Sequence, residues 1–271
     1  MRTTNPALND KVFDRQIEEA RAGGVGGRMP RPPVDDQVSP WTPPASFETM
    51  TVGGTISAAG VLLVLLLAAG CVGWAQVSPA PEGVRFPGWI LPALLVGLGI
   101  AFLTIFKPRL ARFTGPVYAL VEGLLLGAIS HVYNLAYGGI VVQAVGLTLA
   151  VFGLMLFLYA TRVIKVTDKL RMGIVAATGA VFLVYMVSLV LRLFGADVPF
   201  IHDASPIGIL ISLAVVVIAA LNLVLDFDFI EQGAAKGAPK YMEWYGAFGL
   251  LVTLVWLYLE LLRLMSKLRS R

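Results

Sequence analysis

The sequence predicts an all-α membrane protein, a bundle of seven transmembrane helices, and three observations carry that prediction. Charged residues make up only 14% of the 271 positions, against about a quarter in a soluble domain. Seven windows are each long enough to cross a hydrocarbon core, which takes about 20 apolar residues. Several of them are cleanly bounded, because no charge falls between Arg85 and Lys107, between Arg171 and Arg192, or between Asp203 and Asp226.

Taken in order, residues 1–47 stand apart. GGVGGRMPRPP and SPWTPPAS are rich in glycine and proline and offer little apolar mass to bury. They read as a disordered cytoplasmic tail with a short helix over Lys11 to Ala22. Residues 48–271 then form one transmembrane domain. Its windows run approximately Gly54 to Ala75, Gly88 to Phe106, Pro116 to Tyr133, Gly139 to Tyr159, Met172 to Phe194, Pro206 to Asp226 and Trp244 to Met265. The first is too long and too far from the start for a signal-peptide core. It also holds the single cysteine, Cys71, which leaves no disulfide framework and no thiol metal site. No internal repeat is visible, which argues against the inverted-repeat transporters.

Lysines and arginines fix the orientation. The tail carries six, the second connection Lys107, Arg109 and Arg112, the fourth Arg162, Lys165, Lys169 and Arg171, and the sixth Lys236 and Lys240. The opposite side has Arg85 and Arg192. The N-terminus is therefore expected in the cytoplasm. The net charge of +4 belongs to this bias and not to nucleic-acid binding. Seven crossings place Arg263, Lys267, Arg269 and Arg271 outside, against the rule, and a re-entrant hairpin would bring them back.

Ionisable groups inside the spans are few, and each costs roughly 2.5–3.5 kcal/mol to insert. Glu122, with Tyr118, Ser130 and Tyr133, makes a polar stripe on the third span. Gly123 and Gly127 form a small-xxx-small step there, over which a neighbouring helix can approach. Glu122 reads equally well as interhelical glue or as a functional acid. His131 reads as an interfacial hydrogen-bonder. Asp226 ends the sixth window with Asn222 one turn before it, while Asp228 points about 200° away. Glu260 lies in an apolar stretch, LVWLYLELLRLM, with Arg263 as a partner three residues on or a cation that snorkels outward.

Whether an aspartate meets Glu260 depends on depth. A last helix that enters the membrane at Trp244 carries Glu260 about 24 Å along it, out of reach. A helix that begins near Gly249 puts Glu260 at mid-depth, where a carboxylate pair can share a proton.

Three segments together resemble the Bax inhibitor-1/YccA family (the transmembrane Bax inhibitor motif family), in a bacterial-type form. They are Glu122-Gly123 followed by Gly127, Ile129-Ser130 and Tyr133; Leu225-Asp226-Phe227-Asp228; and Leu257-Tyr258-Leu259-Glu260. The resemblance covers roughly Thr51 to Leu268. It implies a seven-helix fold with the last helix central, in the inner (plasma) membrane of a bacterium. It also implies a pH-sensitive calcium leak controlled by Asp226 or Asp228 with Glu260, Asp226 being preferred as deeper and on the side of Asn222. Glu122, Asn222 and Arg263 would support that site.

The expected function is thus a cation leak channel gated by a membrane-embedded carboxylate pair. Calcium is the permeant ion, passing at Asp226 and Glu260, and no resident cofactor is expected. A shared proton would hold the helices together, so activity would rise with pH. The alternative is a non-transporting regulator of stress or proteolysis that acts by contact with another membrane protein. An enzyme is not expected: an intramembrane aspartyl protease lacks its GxGD motif here, and no P-loop, dinucleotide fingerprint or zinc motif appears.

Overall fold

A computed structural model describes residues 15, 17–19, 48–80, 83–85, 87–195 and 205–270. From residue 48 onward these form seven α-helices: α1 (Val52–Ala75), α2 (Ile90–Phe106), α3 (Ala111–Ala136), α4 (Ile140–Ala160), α5 (Asp168–Leu193), α6 (Pro206–Ala235) and α7 (Met242–Arg269). Six are long and apolar enough to cross a membrane, and α2, at 17 residues, is shorter. A two-stranded ribbon, β1 (Ser78–Ala80) with β2 (Gly83–Arg85), joins α1 to α2. A one-turn 3₁₀ helix, Pro108–Leu110, leads into α3.

The helices start and stop for local reasons. Thr51 caps α1 by accepting from the Gly54 amide, and Ser205 caps α6 by accepting from the Gly208 amide, with Pro206 in the first turn. Both satisfy amides that the helix leaves without partners. After α6 the chain turns at Gly237, whose φ of +66° suits glycine above other residues.

Helix ends depart from the apolar windows. α3 begins at Ala111 and includes Arg112, and α6 runs nine residues beyond Asp226 to Ala235. An uncharged run marks hydrocarbon, whereas a helix continues through the interfacial layer. At about 1.5 Å per residue, the 30 residues of α6 exceed a hydrocarbon core of about 30 Å.

α1 and α3 run side by side in the same direction. Cβ atoms added at Gly123 and Gly127 would overlap the carbonyl oxygens of Leu66 and Gly70 on α1, and one at Gly73 would overlap that of Leu124 on α3. Further along, His131 stacks on Trp74, centroids 4.6 Å apart, and its Nδ1 lies 2.7 Å from the Trp74 carbonyl. Small residues let the two backbones touch, as in membrane helix pairs generally.

α7 packs against α6, α1, α4 and α3. Its Tyr245, Phe248, Leu257 and Leu262 are fully buried. α5 is the contrast, packed chiefly on α6 with most of its surface outward.

The N-terminal approach to α1 is strapped to the α6–α7 turn. Met50 N–H donates to Ala238 O (2.7 Å), Lys240 N–H donates to Glu48 O (3.1 Å), and Thr49 bridges Pro239. α1, α3 and α7 therefore all start at one end of the bundle. Of the expected tail only Arg15 and residues 17–19 are described; they are helical, and Glu19 pairs with Arg109 at 2.7 Å. The remainder of the tail lies outside the described residues.

Candidate functional site

The membrane acids fall into separate groups along α6 and α7. Eighteen residues beyond the start of α7, Glu260 is 2% exposed. Its Oε1 accepts from Tyr185 Oη of α5 at 2.9 Å and from Arg263 Nη1 at 3.3 Å. Arg263 Nη1 also donates to Tyr185 Oη at 2.6 Å, and its guanidinium sits 5.0 Å above the Tyr185 ring. Tyrosine, glutamate and arginine thus close a three-membered polar triangle. Arg263 pairs with Glu260 while its side chain stays 34% exposed.

On α6, Asp228 is bound from two sides. Arg171 Nη2 of α5 donates to its Oδ2 at 2.5 Å, and Gln232 Nε2 donates to the same oxygen at 2.6 Å. The two charged side chains are 6% and 14% exposed, so this is a buried ion pair. Arg171, counted by sequence among loop cations, is drawn inward because α5 already begins at Asp168. Asn222, a turn and a half before, donates from Nδ2 to Thr178 Oγ1 of α5 at 2.8 Å and to the Ile218 carbonyl. Asp226 itself is 1% exposed, within α6.

The proposed proton-sharing contact does not form in this conformation. Among the described residues no hydrogen bond joins Glu260 to Asp226 or Asp228. α7 starts at Met242, before Trp244. Glu260 is then 18 residues from the shared end of the α6–α7 hairpin and Asp226 only nine. At about 1.5 Å per residue the two differ by some 13 Å in depth. Antiparallel neighbours joined by a short turn match residues at equal depth, and on α6 the match for Glu260 is near Val217.

Glu122 is half-buried on α3, and its Oε2 faces Gly97 of α2, where an added Cβ would lie 3.8 Å away. The helix that approaches over Gly123 and Gly127 is α1. Ser130 meets Tyr258 Oη of α7 at 2.6 Å.

The sequence reading gave Glu243 no role and counted Lys267 and Arg269 only as misplaced cations. Glu243, 6% exposed, accepts from the Thr51 amide and the Thr51 hydroxyl at 2.9 Å each, placing a carboxylate at the N-terminus of α1, where the helix dipole favours it. Lys267 is 5% exposed and donates to Gly208 O (3.0 Å) and Ser212 Oγ (2.9 Å). Arg269 donates to Gly138 O, just past the end of α3, and to Gln143. Lys267 and Arg269 thus reach oxygens of α6, of α4 and of the α3–α4 connection. Tyr185 carried a signal in retrospect, a hydroxyl in an uncharged run that also holds Thr178 and Ser188.

Outside the spans the Glu48 carboxylate, 2.7 Å from Lys240 Nζ, holds that ammonium above its ordinary value. Among the described residues no group of three or more His, Cys, Asp or Glu side chains gathers as a metal site, so the six to eight oxygens that calcium takes are not assembled from side chains here.

The chain matches the family described as Bax inhibitor 1 like over residues 5–270. That span reaches well into the N-terminal segment, beyond the region the sequence resemblance covered. No curated protein matches the chain.

Proposed function

We propose that this chain, which belongs to the Bax inhibitor 1 like family, is a cation leak pathway gated by carboxylates within its helices, with calcium as a permeant ion. Integral membrane character follows from the family and from six apolar helices of membrane-crossing length. The finer reading is seven crossings around a central α7. It is supported by the parallel course of α1 and α3, since the chain must return through α2 between them. With lysines and arginines on the cytoplasmic side, the strapped end near Thr51 faces the cytoplasm of a bacterial inner membrane.

The observation that carries the functional reading is the burial of Asp226, Glu260 and Arg171 between the helices, with the Asp228 side chain 14% exposed beside Arg171. Each is costly to insert, and a bundle that needed only cohesion could use apolar contacts instead. Asp228 and Glu260 hold α5 through Arg171 and Tyr185, and this is the closed arrangement; parting Arg171 from Asp228 loosens it. Calcium uptake into proteoliposomes across a pH series, wild type beside Glu260→Gln, tests the function: the wild type gives a pH-dependent uptake that the variant flattens. Uptake equal to protein-free vesicles at every pH moves the reading to a non-transporting regulator.

A further inference from the structure

Arg171, Thr178 and Tyr185 follow one another at intervals of seven. Seven residues fall about 20° short of two full helical turns, so all three lie on one narrow stripe of α5. Each reaches across to a neighbour: Arg171 to Asp228, Thr178 to Asn222, and Tyr185 to Glu260 and Arg263. The partners line up in depth along α6 and then α7, from the strapped end of the bundle to the far one.

Apart from this stripe α5 has little hold on the molecule. Between 171 and 191 its buried residues are Arg171, Ile174 and Ser188, and Phe182, Leu183, Val187 and Leu189 are each more than half exposed. A cavity of about 260 Å³ lies beside the stripe, lined by Gly173, Ile174 and Ala177 of α5 and Ile218 and Leu221 of α6. The seam is therefore closed by polar contacts and not by close apolar packing. Other routes lack the chemistry. The α1–α3 contact is sealed backbone to backbone at Gly123 and Gly127. The larger cavity, about 550 Å³ between α1, α3, α4 and α7, is lined by residues such as Leu66, Leu126, Phe152, Leu251 and Tyr258, with no carboxylate.

We infer that the ion path is the seam itself: α5 moves away from α6 and α7, and the opening is lined by Asp228, Asn222 and Glu260. Arg171 departs with α5, which uncovers Asp228 for a cation, and the oxygens of Asn222 and Glu260 supply the next stations for a partly hydrated ion. The inference rests on the cation-leak reading for what passes, while the movement of α5 stands on the seam alone.

Two measurements in liposomes test it, both in a Cys71→Ser background. The pair Thr178→Cys and Asn222→Cys is oxidised to lock the seam. Calcium uptake falls to the protein-free level on oxidation and returns on reduction to whatever level the unoxidised double variant itself shows. Separately, spin labels at Ile56→Cys and Leu183→Cys report the α1–α5 distance. Two distance populations appear, and adding Tyr185→Phe, which cuts both contacts of that hydroxyl, enlarges the longer one. A disulfide that fails to form, one that forms with uptake unchanged, or a single distance indifferent to Tyr185→Phe overturns the inference. Absence of uptake in the wild type defeats the leak reading, and the spin-label distances then decide the movement by themselves.

Discussion

α7 and α5 are both apolar helices of more than 25 residues, yet the bundle treats them oppositely. In the most apolar stretch of each, 56% of residues are buried in α7 and 11% in α5. α7 is held by shape, with four helices packed around it and Tyr245, Phe248 and Leu257 fully enclosed. α5 is held by chemistry, through three polar residues that grip α6 and α7. In lipid this difference matters more than in water, because apolar surface gains nothing by leaving hydrocarbon for a protein interior. A helix without close packing stays in place only through its polar contacts, and such contacts can be switched.

The largest effect is expected where shape alone decides. Gly127→Leu drives a side chain into the Gly70 backbone, with no flexible neighbour to give way. The loss should exceed about 4 kcal/mol, the range reached by few single changes. The expected outcome is no monodisperse species in detergent. A stable Gly127→Leu protein would mean that the α1–α3 contact is not what encloses α7.

Next comes the chemical hold on α5. Arg171→Leu strands Asp228 at 14% exposure, and breaking a buried pair from one side costs roughly 3–5 kcal/mol. Adding Asp228→Leu removes the stranded charge and should restore most of the melting temperature, since an apolar pair of similar volume is often neutral. The double variant should nevertheless leak at every pH, because nothing then closes that part of the seam. Recovery of stability together with normal pH-dependent closure would place the gate elsewhere.

How much of this was legible follows the same division. Shape was easier to read: each apolar window overlaps a helix, and Gly123 and Gly127 announced a close approach before its partner, α1, was known. Chemistry was read in part. Asp226, Asp228 and Glu260 stood out because charge is rare in such runs, and the Glu260–Arg263 contact is local enough to follow from spacing. The partners on α5 were not legible. Arg171 sat at the end of a basic connection and looked like one more cytoplasmic cation, because nothing in an uncharged run tells where the helix before it begins. The pairing of Asp226 with Glu260 failed on depth, which is set by where a short hairpin turns. That turn is placed by Gly237 and by the strap from Glu48 to Thr51, contacts between residues almost 200 positions apart.

The strap suggests the smallest effect and separates a third kind of hold, backbone pairing, from the other two. Lys240 and Glu48 form an exposed ion pair beside the α6–α7 turn, at 2.7 Å with both side chains more than half exposed. Because Glu48 raises the Lys240 value, the lysine's side of the pair is present at neutral pH and is lost as pH climbs through the raised lysine value. Exposed pairs are nonetheless screened by water and salt. The same segment is fixed by the backbone bonds Met50 to Ala238 and Lys240 to Glu48 and by the Glu243 carboxylate on Thr51. Lys240→Met, which keeps the alkyl stem and every backbone bond, should therefore leave the melting temperature unchanged at neutral pH, in low salt and in high salt alike. A drop in low salt that vanishes in high salt would show that charge, and not the backbone, fastens the start of α7 to the start of α1.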